Sequence, residues 1–358
     1  MEHQIHNIEI KMEIQRIYQR DIKVHPAFQK MTAEEEAAGN NPLGKWDDEL
    51  QGIWVMKYEA SRETSTDGTT WVAASGTNGL TTNARNTNTT KSRVVSKPSV
   101  KSWRGITISN VYQNCVSMYP VINTHQMKNS EWGAVAYLTY SPYGRNGEEL
   151  AVNQCSSYYT GAGKGKGIST VYENSSYAYS ERDVIDGSGN ITKYAFKDNY
   201  AWNTDLGKLA STTGNIYGIY DMSGGAYEYT ASYLNNGHTN LTTYGLNLIN
   251  TSNIRDKQTY SSTVSDGNAA SLADYELNKE IYGDAVYETS TNCYTNASWC
   301  NDFSYFPGEI YTFFTFGGYV NQGSNSGIFN FMDTNGFDSS PGFYGISNKS
   351  FRIVTSVN

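Results

Sequence analysis

Apolar and polar residues alternate most regularly in the first 21 residues of this 358-residue chain. Ile8, Ile10, Met12 and Ile14 each stand between polar residues, a period of two that predicts a half-buried strand. A lone strand cannot bury its apolar face, so it is not stable without a partner. We therefore expect residues 1–21 to attach to a neighbouring subunit, or to be the end of a truncated preceding domain.

The longer remainder contains one clear strand pattern and two clear helix patterns. Residues 52–59 form a run that predicts a strand, whereas residues 61–101 are so rich in Thr, Ser, Asn and Gly that we expect an exposed loop. Residues 111–119 and 128–138 are the predicted helices, the second with apolar residues at helical spacing. From residue 141 onward, Gly, Asn-Gly and Asp-Gly interrupt short Tyr-rich stretches, which predicts many turns and a modest amount of strand.

Composition narrows the class of protein. The chain carries 27 basic and 35 acidic residues, a net charge of −8, which argues against a nucleic-acid-binding protein because such proteins need a basic surface. Its 29 Tyr residues exclude a disordered chain. Apolar runs fall short of the roughly 18 residues that cross a bilayer, so no membrane span is expected. Without linker composition or an internal repeat, residues 22–358 are expected to form one large, irregular α+β domain.

Sequence motifs of common enzymes are absent from the chain. The five His are scattered, and no Cys pair has zinc spacing. Residues 161–167 (GAGKGKG) lack the spacing of a phosphate-binding loop and are expected to form a flexible surface loop. Cys293 and Cys300 are close enough in sequence to form a disulfide, but four reduced thiols, including Cys115 and Cys155, are an equally good expectation.

Two stretches of the sequence, by contrast, are specific. Residues 215–230 (NIYGIYDMSGGAYEYT) resemble the motif G-N-x-x-G-L-Y-D-M-x-G-N-V-W-E-W of the formylglycine-generating enzyme, or sulfatase-modifying factor, family. Near the C-terminus, residues 316–318 (FGG) resemble the family's R-G-G, and residues 350–352 (SFR) resemble its closing G-F-R. The matching positions of the first motif are Gly214, Asn215, Gly218, Tyr220, Asp221, Met222, Gly224 and Glu228, with Tyr227 and Tyr229 in place of the family's Trp pair.

The resemblance covers about residues 22–358, because the motifs occur in the family's order. Residues 128–138 (KNSEWGAVAYL) also resemble a helix in the phage- and prophage-borne branch of the family. The resemblance implies the C-type lectin-like fold in its elaborated form, with a small twisted antiparallel sheet, two helices and much irregular loop.

The resemblance also implies a calcium site in the first motif. In the family's enzymes the corresponding turn binds calcium through an acid or amide side chain, two backbone carbonyls and the Glu. Carried to this sequence, the ligands are the side chains of Asp221 and Glu228 and the carbonyls of Gly224 and Ala226, which are oxygen ligands of the type calcium prefers. The alternative is that Glu228 only accepts hydrogen bonds from loop amides.

The family's oxidase chemistry is not expected in this chain. The family oxidases use two Cys, separated by four residues, shortly after R-G-G. The comparable positions here are about Gln322 and Gly327, and no Cys follows Cys300. Copper–thiolate chemistry needs thiolate ligands, which these residues cannot supply. Phe316 also replaces the Arg of R-G-G. We therefore expect a protein that is not an enzyme.

Tyr, Asn, Ser and Gly fill the region where the oxidases have their Cys pair, and this composition suits an adaptable binding surface. The resemblance implies that the same C-terminal region forms the ligand face of C-type lectin-like proteins. We expect Phe329, Phe331 and Phe351 to belong to the core. The residues expected to lie together on one exposed ligand face are Tyr319, Asn321, Asn325, Asn335 and Tyr344.

The leading functional hypothesis is a non-enzymatic binding or display protein of a virion surface or cell surface, with an extracellular location. Its partner would be a host surface protein or a glycan, and it would form a homo-oligomer attached to a neighbouring subunit through residues 1–21. One alternative is an enzyme of the same fold with altered chemistry. Another is a structural decoration protein of the virion that has no ligand.

Overall fold

The chain forms a mixed α+β structure with several small sheets and five α-helices in its described part. The α+β class expected from the sequence is therefore confirmed. The segment 1–21 and Tyr344 lie outside the described residues, so the expectations for them stay predictions. The computed structural model describes residues 24–73, 91–118, 122–155, 157–163, 180–185, 191–196, 199–337 and 348–357.

The helices and strands are short and are joined by long irregular connections. The helices are α1 (Ala33–Ala38), α2 (Ile108–Met118), α3 (Asn129–Tyr140), α4 (Asn240–Ile249) and α5 (Ser271–Leu277). The strands are β1 (Gly52–Val55), β2 (Ser61–Ser65), β3 (Val72–Ala73), β4 (Lys91–Val95), β5 (Thr124–Gln126), β6 (Ser180–Ile185), β7 (Ile191–Phe196), β8 (Tyr227–Asn235), β9 (Gln258–Ser261), β10 (Phe313–Phe316), β11 (Phe331–Thr334), β12 (Lys349–Phe351) and β13 (Ile353–Val357).

The central sheet has the order β11–β10–β8–β12, with β9 also pairing with β8. β10 runs antiparallel to β8 and β11, whereas β12 and β9 run parallel to β8. The expectation of a purely antiparallel sheet is therefore wrong for the central sheet. β9 follows β8 after helix α4, and such a crossover connection permits parallel pairing. The three smaller sheets, β1–β13–β5, β3–β2–β4 and β6–β7, are antiparallel.

Two apolar clusters form the core on the two faces of the central sheet. Because alternate residues of a strand face opposite sides, Tyr229, Ala231 and Tyr233 of β8 belong to one cluster and Leu234 belongs to the other. Helix α3 packs into the cluster of Leu234 through Trp132, whereas α2 and α4 pack into the cluster of Tyr229.

The two predicted helices are confirmed as α2 and α3, but the expectation of only two helices is wrong. Helix α1 has a capping box between Thr32 and Glu35 and no buried residue. Helices α4 and α5 bury only three residues each, and α4 is rich in Asn, Thr and Gly, which have low helix propensity. Because the apolar residues Leu241 and Leu248 of α4 do recur at helical spacing, its low helix propensity explains better than a missing pattern why it was not expected. None of the described helices combines the length and apolar character that crossing a membrane requires.

Two further local expectations are corrected. The strand predicted over residues 52–59 ends at Val55. The exposed loop expected at residues 61–101 is a sheet in its described part, where β2 pairs with β3 and β4. Glu63 in β2 is only 4% exposed and forms ion pairs with Arg93 and Lys97. Polar side chains that satisfy one another hold this sheet together, and an apolar pattern does not reveal them.

Candidate functional site

The first motif forms a tight turn that leads into β8, and we call residues 221–226 the motif turn. Asp221, Gly224 and Gly225 have positive φ values of 63°, 76° and 79°. A Cβ atom on Gly225 would lie 2.2 Å from Oε1 of Glu59. Only glycine permits this close approach, so the Gly-Gly pair is what lets the turn pass beside a buried carboxylate.

Glu228, the acid of the motif, forms a buried ion pair with Arg352. Arg352 lies between β12 and β13, and both side chains are 1% exposed. The Nε atom of Arg352 donates to Oε2 of Glu228 at 3.0 Å, and its Nη2 atom donates to Oε1 at 2.5 Å. The guanidinium group also donates to the carbonyls of Met56 and Tyr220 at 2.6 and 2.9 Å. A bidentate contact of this kind fixes the start of β8 against the end of the chain.

Asp221, the first acid of the motif turn, is held by hydrogen-bond donors. Its carboxylate accepts hydrogen bonds from the Gly161 amide at 2.8 and 3.0 Å and from Asn153 Nδ2 at 2.9 Å. The amide of Glu59 donates to it at 3.4 Å. Gly161 is buried, so the surface loop expected at residues 161–167 is wrong at its first residue, and residues 164–167 lie outside the described part.

Three buried carboxyl groups therefore share one guanidinium group. Burial raises the pKa of Glu59 well above its usual value, and the nearby charges of Asp221 and Glu228 raise it further. Burial also raises the pKa of Asp221, and it raises that of Glu228 to about 7 although Arg352 acts in the opposite direction. One guanidinium group does not neutralise three carboxylates, so the cluster favours the protonated form of Glu59.

The two side chains expected to bind calcium are already held by donors of the protein. Both carboxylate oxygens of Glu228 are bound by Arg352, and both oxygens of Asp221 accept N–H hydrogen bonds. A calcium ion here would have to compete with Arg352 for the carboxylate of Glu228, and the positive charge of the guanidinium group would repel it. Across the described residues, no group of three or more His, Cys, Asp or Glu side chains is arranged to hold a metal ion. The calcium site stays a prediction, and Arg352 supplies the positive charge at Glu228 in this arrangement.

The motif turn supports the loop that follows β10, which we call the C-terminal loop (residues 317–326). The Gly224 amide donates to the carbonyl of Gly317 at 2.8 Å, and the amide of Val320 donates to the carbonyl of Gly225 at 3.0 Å. The ring of Tyr319 packs against that of Tyr227, with 5.2 Å between centroids. The buried acids thus position the turn, and the turn positions the C-terminal loop.

Three of the five predicted ligand residues lie in this loop. Asn321 is exposed, whereas Tyr319 and Asn325 are partly exposed. The amide of Asn325 donates to the Gln322 carbonyl at 3.1 Å, and its carbonyl accepts from the Phe303 amide at 2.9 Å. The backbone at Asn325 is therefore fixed, and Asn321 in the middle of the loop is exposed.

The other two predicted ligand residues do not join this group in the described structure. Asn335 follows β11, whose pairing with β10 places Thr334 opposite Phe313 and Phe331 opposite Phe316. Asn335 therefore lies at the opposite end of the hairpin from the C-terminal loop, and the expectation that it shares a ligand surface with Tyr319 stays a prediction. Tyr344 lies outside the described residues. As predicted for the core, Phe329, Phe331 and Phe351 are fully buried.

The two positions that the resemblance aligns with the oxidase thiols, Gln322 and Gly327, have structural contacts of their own. Gln322 Oε1 accepts from the amide of Tyr319 and from Asn330 Nδ2, both at 3.3 Å. A Cβ atom on Gly327 would lie 2.0 Å from the carboxylate of Asp302. None of the four Cys, all of which lie in the described part of the chain, forms a disulfide, which answers the open question about Cys293 and Cys300.

Sequence reasoning missed Glu59 and Asn153, and it assigned no role to Arg352. Arg352 was visible as the last residue of the F-R motif, and a Glu between two aromatic residues required either backbone amides or a cation as its partner. Glu59 and Asn153 carried no comparable signal, because they reach the motif turn from distant parts of the chain.

Comparison with known proteins does not assign this chain to a family: no protein-family model matches it, and neither does any curated protein.

Proposed function

We propose that this protein is a non-enzymatic binding and display protein of a virion or cell surface, with a C-type lectin-like fold related to the phage-borne branch of the formylglycine-generating enzyme family. The C-terminal loop is its ligand face. One observation carries the proposal: the motif turn holds the loop by main-chain hydrogen bonds, while Asn321 in the middle of the loop is exposed.

The chemistry of the loop suits recognition better than catalysis. Tyr and Asn provide an aromatic surface and uncharged donors and acceptors, which bind a glycan or a host surface protein with little loss of side-chain entropy. A rigid support lowers the entropy that a ligand must remove on binding. Gln322 occupies the place of an oxidase thiol and instead accepts a hydrogen bond from the Tyr319 amide, so it contributes to the shape of the loop.

The test is a paired substitution in the full chain. Tyr319→Ala with Asn321→Ala should weaken binding to the host cell surface or to an arrayed glycan by about tenfold or more, because aromatic contacts carry much of the energy of an interface. Asn335→Ala, at the other end of the hairpin, is the matched control and should bind normally. The melting temperature of both variants should stay within about 2 °C of the wild type.

A loss of binding in proportion to a loss of stability would show that the rings are core residues. Equal binding by the wild type and the paired variant would remove the C-terminal loop as the ligand face.

A further inference from the structure

A large groove lies away from the C-terminal loop, between strand β1 and helix α3. Its volume is about 890 Å³, and its walls are mainly apolar. Ile53 and Val55 of β1 form one wall, and Val135 and Leu138 of α3 form another. Ile219 contributes from the segment before the motif turn. A groove of this size and character is large enough to hold a segment of polypeptide.

Large apolar side chains around this groove are exposed to an unusual degree. Trp54 is 72% exposed, Leu138 59%, Tyr143 87% and Tyr217 84%. Single exposed apolar residues are ordinary, but several around one groove mark a surface that another segment covers.

The groove also runs along a free strand edge. In the sheet β1–β13–β5, β1 is the outer strand, and among the described residues it pairs only with β13. An edge strand presents unpaired N–H and C=O groups, to which an extended segment adds by main-chain hydrogen bonds. The occupant that fits best is therefore an extended strand with apolar side chains on one face.

The sequence contains such a segment shortly before the first residues that line the groove. The described chain begins at Val24, and the next residue, His25, lines the groove together with Phe28. In residues 8–14 (IEIKMEI), Ile and Met alternate with Glu and Lys, so one face of an extended segment would be apolar and the other charged.

Residues 15–23 are long enough to connect this segment to the groove. Extended, these residues span up to about 30 Å, whereas β1 has four residues and is about 13 Å long. A segment on a short tether meets its site at millimolar effective concentration, which favours docking within one chain over exchange between chains.

We propose that the groove is the docking site of residues 8–14 of the same chain. The segment adds to the free edge of β1, with Ile8, Ile10, Met12 and Ile14 facing the groove and the charged side chains facing solvent. The groove gives the alternating segment the partner that its sequence requires.

Hydrogen–deuterium exchange of the full chain tests this proposal. Ile10→Asp with Met12→Asp should make the backbone amides of residues 52–55 exchange about tenfold faster, because the edge of β1 loses its cover. Glu9→Gln with Glu13→Gln changes the charged face of the same segment and should leave that exchange as in the wild type. Exchange within β8, which contributes no residue to the groove, should be equal in all three proteins and shows that each is folded.

Two results would overturn the proposal. One is equal exchange of residues 52–55 in the wild type and the Asp variant. The other is protection that disappears on hundredfold dilution of the wild type, which would show that the covering segment comes from a second copy.

Discussion

At the scale of single residues, the strongest interaction of the candidate site is the buried pair of Glu228 and Arg352. Removing one partner of a buried ion pair is costly because the other charge is left without compensation, whereas replacing both partners by neutral groups costs less. Arg352 also binds the carbonyls of Met56 and Tyr220, so it joins three separate parts of the chain. We therefore expect this pair to matter more to stability than any surface ion pair.

Arg352→Met should lower the free energy of unfolding by about 3–5 kcal/mol in urea denaturation. The double variant Arg352→Met with Glu228→Gln should recover part of this loss. Arg255→Met is the matched control, because Arg255 forms an ion pair of 2.8 Å with Asp47 at the surface, and its loss should cost less than about 1 kcal/mol. Equal costs for the two Arg substitutions would contradict the structural role of Arg352.

Asp333 gives a pH dependence whose sign follows from its burial. Burial raises its pKa to about 8, against the effect of Lys349. Because the folded protein holds this proton more tightly than the unfolded chain does, the contribution to stability is complete below about pH 4 and is lost as the pH rises through about 8.

Asp333→Asn should therefore flatten the fall in unfolding free energy between pH 5 and pH 8, by up to about 1.4 kcal/mol per pH unit. Asp205→Asn removes an exposed carboxylate, whose side chain is 98% exposed, and should leave the slope unchanged. Denaturant titrations at four pH values measure both slopes. A slope in Asp333→Asn equal to that of the wild type would show that Asp333 does not hold the proton.

At the scale of elements, helices with regularly spaced apolar residues were predictable from the sequence, whereas the sheet that polar contacts stabilise was not. Helix α2 was predictable because it buries an apolar face. Helix α3 was predictable because Trp132, Val135 and Ala136 recur at helical spacing, although it also buries polar residues. The sheet of β2, β3 and β4 was not, because Glu63 and its basic partners stabilise it in place of apolar side chains. The motif turn was recognisable, but Glu59, which shapes it, comes from elsewhere in the chain. Polar contacts between residues that are far apart in the sequence leave no local pattern from which they could be predicted.

The motif turn should accept no side chain at Gly225. Gly225→Ala combines a positive φ with a Cβ that would contact Glu59, so the turn must shift and carry the C-terminal loop with it. Gly147→Ala is the matched control, because Gly147 has a similar φ of 86° but no atom near its Cβ position. We expect Gly225→Ala to lower both ligand binding and melting temperature, and to lower the melting temperature more than the control does. Equal effects would show that the contact with Glu59 is not decisive.

At the scale of the whole molecule, the buried cluster connects the sheets with the proposed ligand face. Arg352 joins β12 to β13, and β13 belongs to the same sheet as β1. Glu228 belongs to the central sheet, and the motif turn before it carries the C-terminal loop. The same contacts that hold the sheets together therefore set the position of the loop.

The effect of a chelator shows whether Arg352 alone or a bound calcium ion as well supplies the positive charge at Glu228. If Arg352 is sufficient, EDTA should change the melting temperature by less than about 1 °C, since removal of a stabilising ligand at saturation costs several kcal/mol and would shift it by more. Adding calcium to the Arg352→Met variant should restore no stability, because Asp221 is occupied by the amides of Gly161 and Glu59. A fall of several degrees in EDTA, reversed by calcium, would show instead that the calcium prediction from the family resemblance is right and that Arg352 does not act alone.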